Sequence, residues 1–70
     1  MTFDEQNILL SILENTGELS LHNYYFKIIK KTEGVYELAM IQSGIKTRLK
    51  IGSYKECLNT AAYCLSKLNI

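Results

Sequence analysis

The sequence predicts an α+β domain of order α-β-β-β-α, a three-stranded antiparallel sheet with two helices packed on one face. Three observations carry that expectation. Apolar residues recur at helical spacing at both ends of the chain. Between those ends the period drops to two over three short runs separated by Gly-containing turns. A capping signal opens each helical stretch.

The first helix is expected from about Phe3 to Asn15. Thr2 with Glu5 three residues on makes a capping box, in which each side chain satisfies a backbone N–H that the helix start leaves unpaired. Ile8, Leu9, Ile12 and Leu13 form its apolar face, and Asn15-Thr16-Gly17 supplies a left-handed exit. The first strand spans His22 to Lys30, with Tyr24, Phe26 and Ile28 on one face. Thr32-Glu33-Gly34 turns the chain into a second strand, where Tyr36, Leu38 and Met40 share a face and Glu37 points away. After the turn Gln42-Ser43-Gly44, the third strand alternates Ile45, Thr47, Leu49 and Ile51 inward with Lys46, Arg48 and Lys50 outward. Ser53 and Glu56 form the second capping box. Cys57, Ala61, Cys64, Leu65 and Leu68 then give the last helix one buried face.

Residues 1–70 suffice for a single domain, with no linker, repeat, proline or charge block. A chain this short buries only about 60% of its unfolded surface, so a partner subunit would add stability. No apolar run approaches the roughly 20 residues that span a bilayer, and the N-terminus is acidic where a secretory signal is basic. A cytoplasmic domain without membrane association is expected. Eight Lys and Arg against seven Asp and Glu leave a charge of +1, whereas strong non-specific nucleic-acid binders carry a larger basic excess. Two cysteines seven residues apart on one helix are separated by about 10 Å along its axis, beyond disulfide reach, so both are expected as reduced thiols.

The C-terminal half resembles a known family. Tyr36 to Gly44, a charged strand, and the stretch Gly52-Ser53-Tyr54-Lys55-Glu56-Cys57-Leu58-Asn59-Thr60-Ala61-Ala62 through Leu68 are similar to the second half of a double-stranded-RNA-binding domain. That family has α-β-β-β-α order and a final helix opening with a Ser-Lys-Lys-x-Ala-Lys-type motif, and Ser53, Lys55, Ala61, Ala62, Leu65 and Leu68 match its frame. The family's helix-opening lysines reach phosphates across the major groove, and its first-hairpin loop enters a minor groove. Of three lysine positions only Lys55 remains, with Tyr54 and Leu58 at the others. The loop is the short Lys31-Thr32-Glu33-Gly34, without the family's Pro and His. The resemblance therefore implies a degenerate member that serves as a protein-interaction module, often by self-association.

The leading expectation is a non-catalytic domain that dimerises or docks on a larger protein. Tyr54 and Leu58 are neighbours on the helix surface and Ala62 continues their row. That row is either a widened core face or an apolar docking patch. Lys46, Arg48 and Lys50 form a basic row on an edge strand, which either discourages aggregation or meets an acidic partner. The outward sheet face also holds Tyr25, Ile29, Val35, Ala39 and Ile41, more apolar than a solvated face requires. Two alternatives stand beside this: weak duplex-RNA binding through Lys55, Lys31 and Lys30, and a small phage- or virus-encoded inhibitor of a host protein. No cofactor is expected, and no metal, since His22, Cys57 and Cys64 lack ligand spacing. No Gly-rich phosphate loop, nucleophile elbow or acid–base constellation is present in the sequence.

Overall fold

The computed structural model describes residues 2–68. Its order is α1 (Phe3–Thr16), β1 (Glu18–Leu21), β2 (Tyr24–Thr32), β3 (Val35–Gln42), β4 (Ile45–Gly52) and α2 (Tyr54–Lys67). The four strands form one antiparallel sheet in chain order, β1-β2-β3-β4. Both capping boxes form. The Glu5 N–H donates to Thr2 Oγ1 at 3.2 Å while the Thr2 N–H donates to Glu5 Oε1 at 2.8 Å. The Glu56 and Ser53 backbone groups make the same exchange with Ser53 Oγ and Glu56 Oε1. Gly17 ends α1 at φ +77°, a left-handed conformation that glycine adopts without a Cβ clash.

The expected three-stranded sheet is corrected to four strands. Glu18–Leu21, to which the sequence reading assigns no element, pairs with β2 through Leu19↔Phe26 and Leu21↔Tyr24, and His22–Asn23, expected to begin the first strand, is the turn between them. Four residues with two leucines offer too short an alternation to register as a strand. The extra strand has a topological consequence: two helices flanking an odd number of meander strands run parallel, and two flanking an even number run antiparallel. Here the beginning of α2 meets the end of α1, where the Tyr54 hydroxyl donates to the Glu14 carbonyl at 2.8 Å. The other end closes through the Gln6 side-chain amide donating to the Ala62 carbonyl at 3.1 Å.

Both helices cover one face of the sheet, α1 over β1 and β2, α2 chiefly over β3 and β4. Between them lies a core of Leu13, Leu19, Phe26, Ile28, Leu38, Cys57, Ala61 and Leu65. The inward face of α2 matches the expected stripe, with Cys64 and Leu68 half-buried at its margin. The inward face of α1 is rotated from the expected one. Leu13, Leu9 and Leu10 pack on the core, whereas Ile8 and Ile12 are 62% and 44% exposed. The third expected strand also departs from strict alternation. A bulge shifts the β3–β4 register between Leu38 and Ala39, so that Arg48 pairs with Ala39 but Lys50 with Leu38. Lys50 is thereby carried to the helix side, its Nζ 3.8 Å from Glu56 Oε2, and Ile51 is carried to the outer face, 44% exposed. No helix among the described residues is long and apolar enough to cross a membrane.

Candidate functional site

Among the described residues, no element covers the face of the sheet opposite the helices. Cross-strand register arranges it in rows: Ser20, Tyr25, Ile41 and Lys46; then Glu18, Lys27, Ala39 and Arg48; then Ile29, Glu37 and Ile51. Ala39 is buried, and Tyr25, Ile29 and Ile41 are half-buried, although nothing but neighbouring side chains covers them. Tyr25, Ile29, Ala39 and Ile41, expected on the outer face, lie on it in these rows, whereas Val35 pairs with Thr32 beyond a register shift.

Glu37 sits at the centre of this face with only 1% of its surface exposed. Its cover is a thin layer made by its own counter-ions. Arg48 Nε donates to Oε1 at 2.9 Å, Lys46 Nζ stands 3.2 Å from Oε2, and Lys31 Nζ lies 3.8 Å from Oε1. Among the described residues Oε2 accepts no hydrogen bond of good geometry, and the Lys46 ammonium is the cation that stands beside it. Lys46 does most to hold the Glu37 carboxyl below the usual carboxylate range, burial opposes it, and Arg48 and then Lys31 reinforce it. Arg48 meets Glu37 through Nε, its terminal N–H groups make no side-chain hydrogen bond among the described residues, and the side chain is 62% exposed. At the margin, the Tyr25 hydroxyl donates to Glu18, which raises the tyrosine's pKa.

The other expected site residues occupy different places. Tyr54, Leu58 and Ala62 line the side of α2 that meets α1. Tyr54 bonds the α1 carbonyls and sets its ring edge-on to Tyr36 at 5.1 Å, Ala62 accepts from Gln6, and Leu58 packs between them against the core. This row forms an intramolecular seam. Lys46 and Arg48 stand together on the open face, while Lys50 has left it through the bulge. Lys55 is exposed in the first turn of α2. Lys30 and Lys31 lie at the same end of the sheet, where β3 begins and β4 ends, but Lys30 is paired with Glu33 at 3.0 Å.

At the opposite end of the sheet, an open depression of about 340 Å³ is lined by Ser20, Leu21, His22, Asn23, Tyr24, Tyr25, Ile41 and Ser43. Among the described residues there is no group of three or more His, Cys, Asp or Glu placed to hold a metal ion. The chain matches no family model, no curated protein and no solved structure.

Glu37 and Ile51 are among the residues of this face that sequence reasoning left out of the site. The signal for Glu37 was present: a carboxylate in a central strand flanked by one strand with cations at every second position, Lys46, Arg48 and Lys50, and by another that carries Lys27, Lys30 and Lys31. Ile51 had no such signal, because the bulge that exposes it interrupts what reads as a flawless alternation.

Proposed function

We propose that this chain is a non-catalytic protein-interaction domain that receives a polypeptide on the open face of its sheet. The observation that carries this reading is the uncovered row of Ile29, Glu37 and Ile51 beside Arg48 and Lys46, aliphatic surface set against exposed cations. Apolar surface drives association and the charges select the partner. A sheet with strands of 4, 9, 8 and 8 residues covers roughly 500 Å² from strand spacing and rise, below the ~800 Å² that each partner buries in a standard interface. Binding is therefore expected to be weak and readily reversed. Docking on a larger protein to inhibit it would be one form of this activity.

Relative to the double-stranded-RNA-binding plan, β2, β3, β4 and α2 stand for the family's meander and last helix, and β1 is an addition. Several features weigh against duplex recognition on that plan. Lys55 is the remaining helix-opening lysine, Lys30 and Lys31 are engaged by Glu33 and Glu37, and α1 carries Asp4, Glu5 and Glu14 with no cation, which repels phosphate. Placement of Lys55 at the same end as the β2–β3 turn is the one feature that favours RNA.

The test is a photo-reactive residue placed at Ile51 on the open face or at Tyr63, which is 64% exposed on the helical side. Protein adducts are expected from position 51, lost when Arg48→Glu is added, and absent from position 63. RNA adducts at 51, or protein adducts insensitive to Arg48→Glu, would overturn the reading.

A further inference from the structure

Charge is divided unevenly between the two layers of this small molecule. All the ionic residues of α1 are carboxylates, Asp4, Glu5 and Glu14. At 100° per residue, Asp4, Glu5, Ile8 and Ile12 fall on one side of that helix, the side turned away from the core, where Ile8 and Ile12 are the exposed aliphatics. On the opposite layer the open sheet face presents the reverse charge on the same kind of ground: Lys46 and Arg48 beside Ile29 and Ile51. One chain thus carries both halves of a complementary contact, and the two halves point in opposite directions.

Resting on the reading of the open sheet face as a docking surface, we propose that its occupant is a second copy of this chain, which seats the Asp4, Glu5, Ile8 and Ile12 side of α1 against β3 and β4. Arg48 is the anchor. Its Nε is committed to Glu37 while its side chain stays 62% exposed, which leaves its terminal N–H groups to make a two-pronged grip on an incoming carboxylate. Glu37 is a positioning residue: it holds the fork that the neighbouring copy's Asp4 or Glu5 engages. Pairing of two open sheet faces is opposed because both are cationic, and β4-to-β4 pairing sets like charges opposite one another at a bulged edge. The contact is therefore heterologous and head-to-tail, each added copy leaving one α1 and one sheet face free for the next.

Sedimentation velocity on the full chain tests this. The expected result is a mass that rises with concentration beyond two chains and falls as salt screens the contact. Asp4→Lys with Ile8→Lys blocks the helix side, and Lys46→Glu with Arg48→Glu blocks the sheet side. Each variant alone is expected to be monomeric, and an equal mixture is expected to stop at the mass of two chains. Should the sheet-side variant fail to fold, Arg48→Lys replaces it, keeping the charge and losing the fork, with association weakened several-fold. Glu37→Gln separates positioning from bulk charge: removing a negative charge from a cationic patch would tighten anion binding, whereas loss of the positioning residue is expected to weaken association about tenfold. A monomer at every concentration in low salt, a mixture that stays monomeric, or tighter association of Glu37→Gln would overturn the proposal. A strict monomer that still gives Arg48-dependent protein adducts through position 51 would remove the second copy as occupant and leave the docking surface intact.

Discussion

The Tyr54 hydroxyl, on the first residue of α2, donates to the Glu14 carbonyl in the last turn of α1 at 2.8 Å, with the Leu13 carbonyl at 3.3 Å. The Glu14 carbonyl is one that a helix end leaves without an intrahelical partner, whereas the Leu13 carbonyl also accepts from the Gly17 N–H at 2.7 Å. The bond to Glu14 locks two antiparallel helices end to start. Burial, then the charge of Glu14, push this hydroxyl's pKa above its usual value.

Removing only the hydroxyl, Tyr54→Phe, keeps the ring against Tyr36 and loses the bond. Stability is expected to fall by about 1 kcal/mol, seen as a melting temperature lower by about 4–8 °C for a domain of this size. A raised folded pKa means that the contribution is complete below about pH 10 and is lost as pH climbs through the folded value. Tyr25, Cys57 and Cys64 are shifted the same way, so the alkaline loss in Tyr54→Phe should become shallower without vanishing. A variant as stable as the parent in thermal melts at neutral pH would show that the bond holds nothing.

What the sequence disclosed and what it withheld divide along the range of the interactions involved. The capping boxes at Thr2 and Ser53 were legible because each needs only residues three apart, and Glu37 was correctly turned away from the core by its place in an alternating strand. Its burial was not legible, since it comes from Lys31, Lys46 and Arg48 arriving from two other strands in a particular register. The bulge at β4 erased the outward row of three cations and replaced Lys50 with Ile51, and no local feature of Ile45–Gly52 announces it. The role of Tyr54, Leu58 and Ala62 was decided by the direction of α2 relative to α1, hence by whether Glu18–Leu21 was a strand.

Glu37 should contribute to the acid side of the stability profile. Its carboxyl is held low mainly by Lys46, so its contribution is complete above the unfolded value of about 4.3 and is lost as pH falls through the folded value. Glu5 and Glu56 are lowered too, each first by the backbone N–H of its own capping partner. Urea midpoints of Glu37→Gln are expected to be lower than those of the parent at neutral pH and to converge on them toward pH 2–3. A constant offset across the acid range would mean that the ion cluster contributes no pH-dependent stability.

The two thiols should differ sharply in reactivity although both belong to the inward side of α2. Cys57 has no exposed surface, while Cys64, near the helix end, is half-buried. Burial raises both above the ordinary thiol range, with the Glu56 charge adding to it at Cys57, so neither is a strong nucleophile at neutral pH. A thiol reagent is expected to label Cys64 first, by small local motions, and Cys57 only through global opening. With roughly 0.05–0.15 kcal/mol of stability per residue, a domain of this length opens fully in about one molecule in several hundred or fewer. Cys57 should therefore react at least about a hundredfold more slowly, and Cys64→Ala should leave a chain almost inert until denaturant is added. Equal rates at the two positions in native buffer would mean that α2 detaches from the sheet far more readily than its packing on Leu38 and Phe26 allows.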